Sequence, residues 1–166
     1  MRAVVLADTH MRPGREPSLP PAAYPHLRRA QLILHAGDVL VPELLEHLAD
    51  IAPTHAVLGN NDRDLVDELP EELRLDLDGV PVAMVHDAGP RKGRAARLHR
   101  RFPDARVVVF GHSHEPCDVI GVDGQRLFNP GSPTQRRRAP THTLGVLEAR
   151  DGELVGRRIL PLTAAG

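Results

Sequence analysis

The chain has 166 residues, 41% of them hydrophobic and 26% charged, with a formal net charge of -1. That profile fits one globular domain over residues 1–166 with a core of its own, and gives no overall pull toward nucleic acid or an anionic membrane. Aromatic residues are only 2%, which argues against a base-stacking surface, and the single cysteine, Cys117, excludes an internal disulfide. With no leader-like segment and no apolar run of membrane length, a cytoplasmic protein is the expectation.

In chain order, Arg2 to Ala7 reads as a strand buried on both faces. Met11 to Ala23 is loop, broken by Pro13, Gly14, Pro17, Pro20 and Pro21, and Tyr24 to Arg29 a short helix. Leu32 to Leu34 forms a second strand that ends at His35-Ala36-Gly37-Asp38. A helix follows, with Pro42 in its first turn, Glu43 complementing the dipole and Leu44, Leu45 and Leu48 as its apolar stripe. Thr54 to Leu58 is a third strand and delivers Gly59-Asn60-Asn61-Asp62.

The pattern then changes. Leu73, Leu75 and Leu77 alternate with Arg74 and Asp76, and Asp78-Gly79 turns the chain into Val80 to Val85, a hairpin ending at His86. Arg91 to Phe102 predicts a helix with Ala95, Leu98 and Phe102 facing inward and its basic residues on a solvated face. Val107 to Val109 is a buried strand running into Gly111-His112-Ser113-His114. Two more hairpins turn at Asp123-Gly124 and Asp151-Gly152. Helices between early strands and hairpins later imply an α/β fold, two packed mixed sheets flanked by helices.

Five apolar runs thus end in Asp, Asn or His: Asp8-Thr9-His10, Gly37-Asp38, Asn60-Asn61-Asp62, His86-Asp87 and His112-Ser113-His114. Imidazole and carboxylate together suit a divalent transition ion, and an Asn carbonyl adds a weaker oxygen donor. Asp8, His10, Asp38, Asn60, His86, His112 and His114 are more donors than one four-coordinate ion needs. They suit two ions sharing a carboxylate, which can clamp a phosphate while an activated hydroxide attacks in line. Donors without thiolate favour manganese, with iron, zinc, nickel and magnesium as alternatives. Gly37 and Gly59 would let the backbone bring Asp38 and Asn60 inward.

Singly, Asp8 or Asp38 reads equally well as a turn residue, and each His as a core or surface residue. Jointly, chance is a poor account of them. His26, His35, His47, His55, His99 and His142 lack a motif and read as ordinary histidines, His35 being nearest to a supporting role. Ser113 has no base to activate it. Asp62 is expected to orient a His or Asn61, with closing a turn as the alternative, and Asn129 and Ser132 to form a Pro-Gly turn. Arg136-Arg137-Arg138 reads as an ordinary exposed loop sooner than as a holder of an anionic substrate tail.

Asp8-x-His10, Gly37-Asp38, Gly59-Asn60-x-Asp62, His86 and Gly111-His112-x-His114, in that order, resemble the calcineurin-like metallophosphoesterase superfamily. Asn129-Pro130-Gly131-Ser132-Pro133 resembles its small bacterial phosphodiesterase branch. The resemblance covers roughly residues 2 to 150 and implies that Asp8, His10, Asp38 and His114 hold one ion. It implies that Asp38, Asn60, His86 and His112 hold the other, Asp38 bridging. Many members carry His where this chain has Asn61. Asn can donate to a phosphate oxygen but cannot protonate a poor leaving group, which favours diesters over alkyl monoesters. Asn61 and Asp62 are the candidate catalytic residues outside the ligand set. Met11 and Asp87 stand where glycine is common in the family.

The expectation is a phosphodiesterase acting on a small phosphodiester or nucleotide-like substrate, with nucleic acid not favoured, no membrane partner, and a homodimer as the assembly the resemblance suggests. A phosphomonoesterase on the same site is the alternative. A catalytically silent protein-interaction scaffold is the alternative of another class, since a eukaryotic retromer subunit resembles this branch.

Overall fold

The computed structural model describes residues 1–12, 14 and 18–163, so Pro13 and Pro17 of the predicted loop lie outside the described residues. Strands β1 (Arg2–Leu6), β2 (Leu32–His35) and β3 (Thr54–Ala56) run parallel, and β9 (Thr143–Arg150) and β10 (Glu153–Pro161) extend them antiparallel in the order β10-β9-β1-β2-β3. The second sheet has the order β4-β5-β6-β8-β7. In it β5 (Val80–Val85), β6 (Val107–Val109) and β8 (Arg126–Asn129) are parallel, with β4 (Glu72–Leu77) and β7 (Cys117–Ile120) antiparallel at the edges.

Alternation along each strand decides what it packs against. Ala3, Val5 and Ala7 face the core between the sheets with Leu34, Met84, Val107, Val109 and Phe128. Val4, Leu6 and Ile33 point the other way, onto α1 (Tyr24–Leu27) and α2 (Pro42–Ala49) through Leu27, Leu44 and Leu48. On the far side Ala83, Val108 and Leu127 meet Leu98 and Phe102 of α3 (Arg94–Arg101) and its end. Both faces of the central strands are covered, which is why their sequences are continuous apolar runs rather than alternating ones. The predicted α/β sandwich is the observed fold.

The Asp-Gly turns behave as their sequence dictates. Asp78 and Gly79 (φ 53° and 82°), like Asp151 and Gly152 (φ 50° and 80°), form two-residue hairpin loops in the left-handed region. The predicted helix over Arg91–Phe102 begins only at Arg94, because Gly93 at φ 73° interrupts it. Its basic residues, expected on a solvated face, are not all there: Arg94 and Arg97 are half-buried. Arg97 donates to the Ala88 and Pro90 carbonyls at 2.8 and 2.7 Å, and Arg94 donates to the Gly89 carbonyl and lies over the Phe110 ring.

Candidate metal centre

Parallel strands in two sheets share one consequence: their C-terminal ends open at the same edge of the sandwich, where α/β folds place ligands. β1 delivers Asp8 and His10, β2 Asp38, β3 Asn60 and Asn61, β5 His86, and β6 His112 and His114. The structure brings all seven sequence-predicted donors together there. Asp8, His10 and His114 place one donor atom each within 4.8 Å of one another, and so do Asp8, Asp38 and His86. Asn60 Oδ1 joins the second group, 3.1 Å from His86 Nε2 and 2.9 Å from His112 Nδ1.

The backbone is bent hard to achieve this. Asp8, His10, Asp38, His112 and His114 all have positive φ, between 44° and 67°. Left-handed backbone costs a non-glycine residue about 1–2 kcal/mol, and such conformations cluster where geometry serves function. Gly37, at φ 87°, and Gly59 make room: a Cβ on Gly37 would meet His86 Nδ1 at 2.6 Å, and one on Gly59 would meet the Asp38 nitrogen at 2.1 Å. The expectation that both glycines let Asp38 and Asn60 turn inward is met by these contacts.

The imidazoles are aimed by their other nitrogens. His86 Nδ1 donates to the Ala36 carbonyl at 2.7 Å and His114 Nδ1 to the Gln135 carbonyl, so each turns Nε2 into the cluster with its lone pair available. His10 Nε2 and His114 Nε2 are 3.2 Å apart, and His10 Nε2 lies 3.3 Å from Asp38 Oδ2. Burial holds both rings below the usual histidine range, hence neutral.

The two carboxylates are pushed apart. Burial, with the neighbouring Asp38 charge adding to it, drives Asp8 up to about 7, against the opposing pull of His86. Burial would raise Asp38 too, but its contacts with His86 and Asn61 outweigh that and leave it well below the carboxylate range. His86 is itself raised, since the Asp38 carboxylate and the Ala36 carbonyl overcome its burial.

A divalent cation fits this donor set on evidence internal to it. Asp8 Oδ2 is buried and has no hydrogen-bond partner among the described residues, while Oδ1 accepts the His112 N–H at 3.0 Å. A buried carboxylate oxygen left unpaired is costly, and a cation between it and neutral imidazoles removes the cost.

The supporting residues depart from expectation. Asp62 does not reach a His or the Asn61 side chain. Its carboxylate accepts the backbone N–H groups of Asp38, Leu40 and Gly59 at 2.9, 2.8 and 2.7 Å, and so fixes the loop that carries Asp38. Asn61 donates from Nδ2 to Asp38 Oδ2 at 2.7 Å and from its backbone to Oδ1 at 2.9 Å. His35 is wholly buried, with Nε2 3.0 Å from the Thr9 hydroxyl, and burial takes it down to about 3; it is a neutral core histidine beneath the site.

Asn129 and Ser132 do more than form a turn. Asn129 accepts the Gly131 N–H at 2.8 Å and also donates to the Gly111 carbonyl at 2.9 Å. The Ser132 hydroxyl donates to the Asp8 carbonyl at 2.8 Å. The Asn-Pro-Gly-Ser signal was present in the sequence; its reach across the fold was not.

Comparison with known proteins agrees with this geometry. The family model described as the calcineurin-like phosphoesterase superfamily domain matches residues 1–152. A probable metallophosphoesterase of Methanothermobacter thermautotrophicus is 34% identical over 135 residues, covering 80% of this chain and 77% of the relative. Another, from Methanocaldococcus jannaschii, is 33% identical over 153 residues, covering 89% and 75%. The fold is shared with wild-type Vps29 from Entamoeba histolytica complexed with zinc, at a TM-score of 0.75 and 23% identity over 98% of this chain and all (100%) of that one. Strand-end donors, fold and sequence kinship lead to one conclusion: the chain belongs to the calcineurin-like phosphoesterase superfamily.

Proposed function

We propose that this protein is a dinuclear metal-dependent phosphodiesterase that hydrolyses a small phosphodiester or nucleotide-like substrate. The observation that carries the reading is the pair of overlapping donor groups, Asp8 with His10 and His114 and Asp8 with Asp38 and His86, built from separate strand ends. Asp38, Asn60, His86 and His112 would hold one ion and Asp8, His10, Asp38 and His114 the other, Asp38 Oδ2 lying 3.3 Å from His10 Nε2 and 3.5 Å from His86 Nε2. Two divalent ions in such a cage supply Lewis acidity toward a phosphoryl group and lower the pKa of water. Manganese suits the mixed nitrogen and oxygen donors.

The diester preference rests on Asn61. Its Nδ2 can donate to a phosphate oxygen but carries no transferable proton, so no side chain at that position protonates an alkyl leaving group. Asp62, occupied by three backbone N–H groups, acts by holding the Asp38 loop in place. The fold shared with Vps29 supports a second reading, a protein-interaction scaffold; a scaffold has no use for seven gathered donors, five of them at strained backbone positions.

The test is hydrolysis of a chromogenic aryl diester and the matching monoester with added manganese, using His112→Ala as control. The reading expects faster diester cleavage, abolished in the variant. Faster monoester cleavage would overturn the Asn61 argument, and no metal-dependent cleavage of either ester would favour the scaffold.

A further inference from the structure

The segment after the Asn-Pro-Gly turn lies against the donor cluster instead of in solvent. Ser132 Oγ donates to the Asp8 carbonyl at 2.8 Å, Thr134 Oγ1 donates to the Thr9 carbonyl at 2.6 Å, and the Gln135 carbonyl accepts His114 Nδ1. The same Ser132 hydroxyl accepts the Gln135 N–H at 2.8 Å, so the segment is closed on itself and stitched to the ends of β1 and β6 at once. This frame delivers Arg137, at φ 45°, to the rim. Its Nη1 donates to the carbonyl of His112, at 3.3 Å, and the side chain remains exposed.

Arg137 differs in this from its two neighbours. Arg136 is spent on its own loop, donating to the Ala139 carbonyl at 2.9 Å. Arg138 has no hydrogen bond or ion pair among the described residues, and Arg137 has no acidic partner among them. The guanidinium of Arg137 thus has donors to spare beside the cluster and is tethered to it. Its positive charge is held at the backbone of His112, one of the candidate ligands. A fixed cation that opposes cation binding at its own site is unfavourable unless an anion sits between. Nothing it does for the fold requires a positive charge.

We propose that Arg137 is a substrate-binding residue that takes a non-bridging oxygen of the phosphoryl group, on the side of the cluster formed by Asp8, His10 and His114. Asn61 Nδ2, 2.7 Å from Asp38 Oδ2, faces the phosphoryl group from the side of the second carboxylate. A guanidinium offers paired N–H donors to phosphate oxygens without giving up a proton. Arg137 therefore binds and orients a phosphodiester anion while leaving the missing proton donor missing. The proposal rests on the phosphoester reading of the site but not on the diester preference.

The test uses the full chain loaded with manganese and inorganic phosphate as the probe. Phosphate affinity is read by phosphorus NMR line broadening, and manganese affinity separately by the EPR signal of the free ion. Arg137→Ala is expected to weaken phosphate binding about ten- to a hundredfold, the worth of charge-assisted hydrogen bonds, with manganese affinity not weakened. Arg137→Lys keeps the charge without the fork and falls between, and Arg138→Ala behaves as the parent protein. Unchanged phosphate affinity in Arg137→Ala overturns the proposal. So does a parallel loss of manganese affinity, which would make the guanidinium a brace for the His112 backbone. If the parent protein holds manganese but binds no phosphate, the phosphoester reading falls and takes the role of Arg137 with it.

Discussion

The carboxylate of Asp62 accepts the backbone N–H of Asp38 at 2.9 Å, and through Leu40 and Gly59 it gathers two more N–H groups from the segments on either side. Asp62 is buried, and among the described residues no cation pairs with it, so its charge is balanced by peptide dipoles alone. Such an arrangement holds Asp38 at φ 58° with its carboxylate facing His10 and His86.

Removing that carboxylate leaves two buried donors and one half-buried donor unpaired. Asp62→Ala is expected to cost about 3 kcal/mol or more of folding stability and to weaken manganese binding about 10- to 100-fold. Thermal melting and metal titration of the variant check the two effects separately.

Asn61 gives a gain-of-function test. Asn61→His restores a proton donor beside Asp38, and general acid catalysis is worth about 100-fold or more where leaving-group protonation limits the rate. Turnover of an alkyl monoester should rise relative to an aryl diester by at least about tenfold. The ratio of kcat/KM values for the two esters, measured in parent and variant, decides it.

Metal uptake should depend on pH through Asp8 and His86. Burial pushes this carboxyl up to about 7, so below that pH it holds a proton that an incoming cation must displace. His10 and His114 are held neutral by burial and release none. His86, held above its ordinary value by Asp38 and the Ala36 carbonyl, must also give up a proton to ligate, so manganese affinity should fall more steeply than about tenfold per pH unit as pH drops below about 7. Calorimetry in two buffers of different ionisation enthalpy should register more than one proton released at about pH 6, from Asp8 and His86 together.

His35 contributes to acid sensitivity. Its folded pKa is lowered to about 3 by burial from an ordinary 6.5, so it contributes stability that is fully present above pH 6.5 and lost as pH falls toward 3. One proton taken up only by the unfolded chain costs about 1.4 kcal/mol per pH unit in that window. His35→Gln, which keeps a partner for Thr9, should show a shallower loss of stability between pH 6 and pH 4 in denaturant titrations.

The donors were legible because each follows an apolar run and the strand ends are fixed by that pattern alone. Val107-Val108-Val109 and Ala3-Val4-Val5-Leu6 identify themselves by burial on both faces, and the histidines and aspartates come directly after. What could not be read were hydrogen bonds over long separations. Nothing near Ser132 says that its hydroxyl reaches the Asp8 carbonyl, 124 residues away, nor that Arg137 would be carried to the His112 carbonyl. Composition made Arg136-Arg137-Arg138 look solvated and Asn129 look like a turn residue, because local sequence records propensity and not which distant carbonyl is left to satisfy. The start of α3 was misplaced for a local reason: Gly93 adopts a left-handed conformation that the surrounding Arg and Lys residues do not reveal.

The central claim is that donors from five strand ends cage two cations. A crystal of the protein grown with manganese, with anomalous scattering recorded at the manganese edge, tests it most directly. The account predicts two peaks about 3.5–4 Å apart, Asp38 between them, with His10 and His114 on one side and His86, His112 and Asn60 on the other. A single peak, or none with Asp8 Oδ2 paired instead to a protein donor, would contradict it.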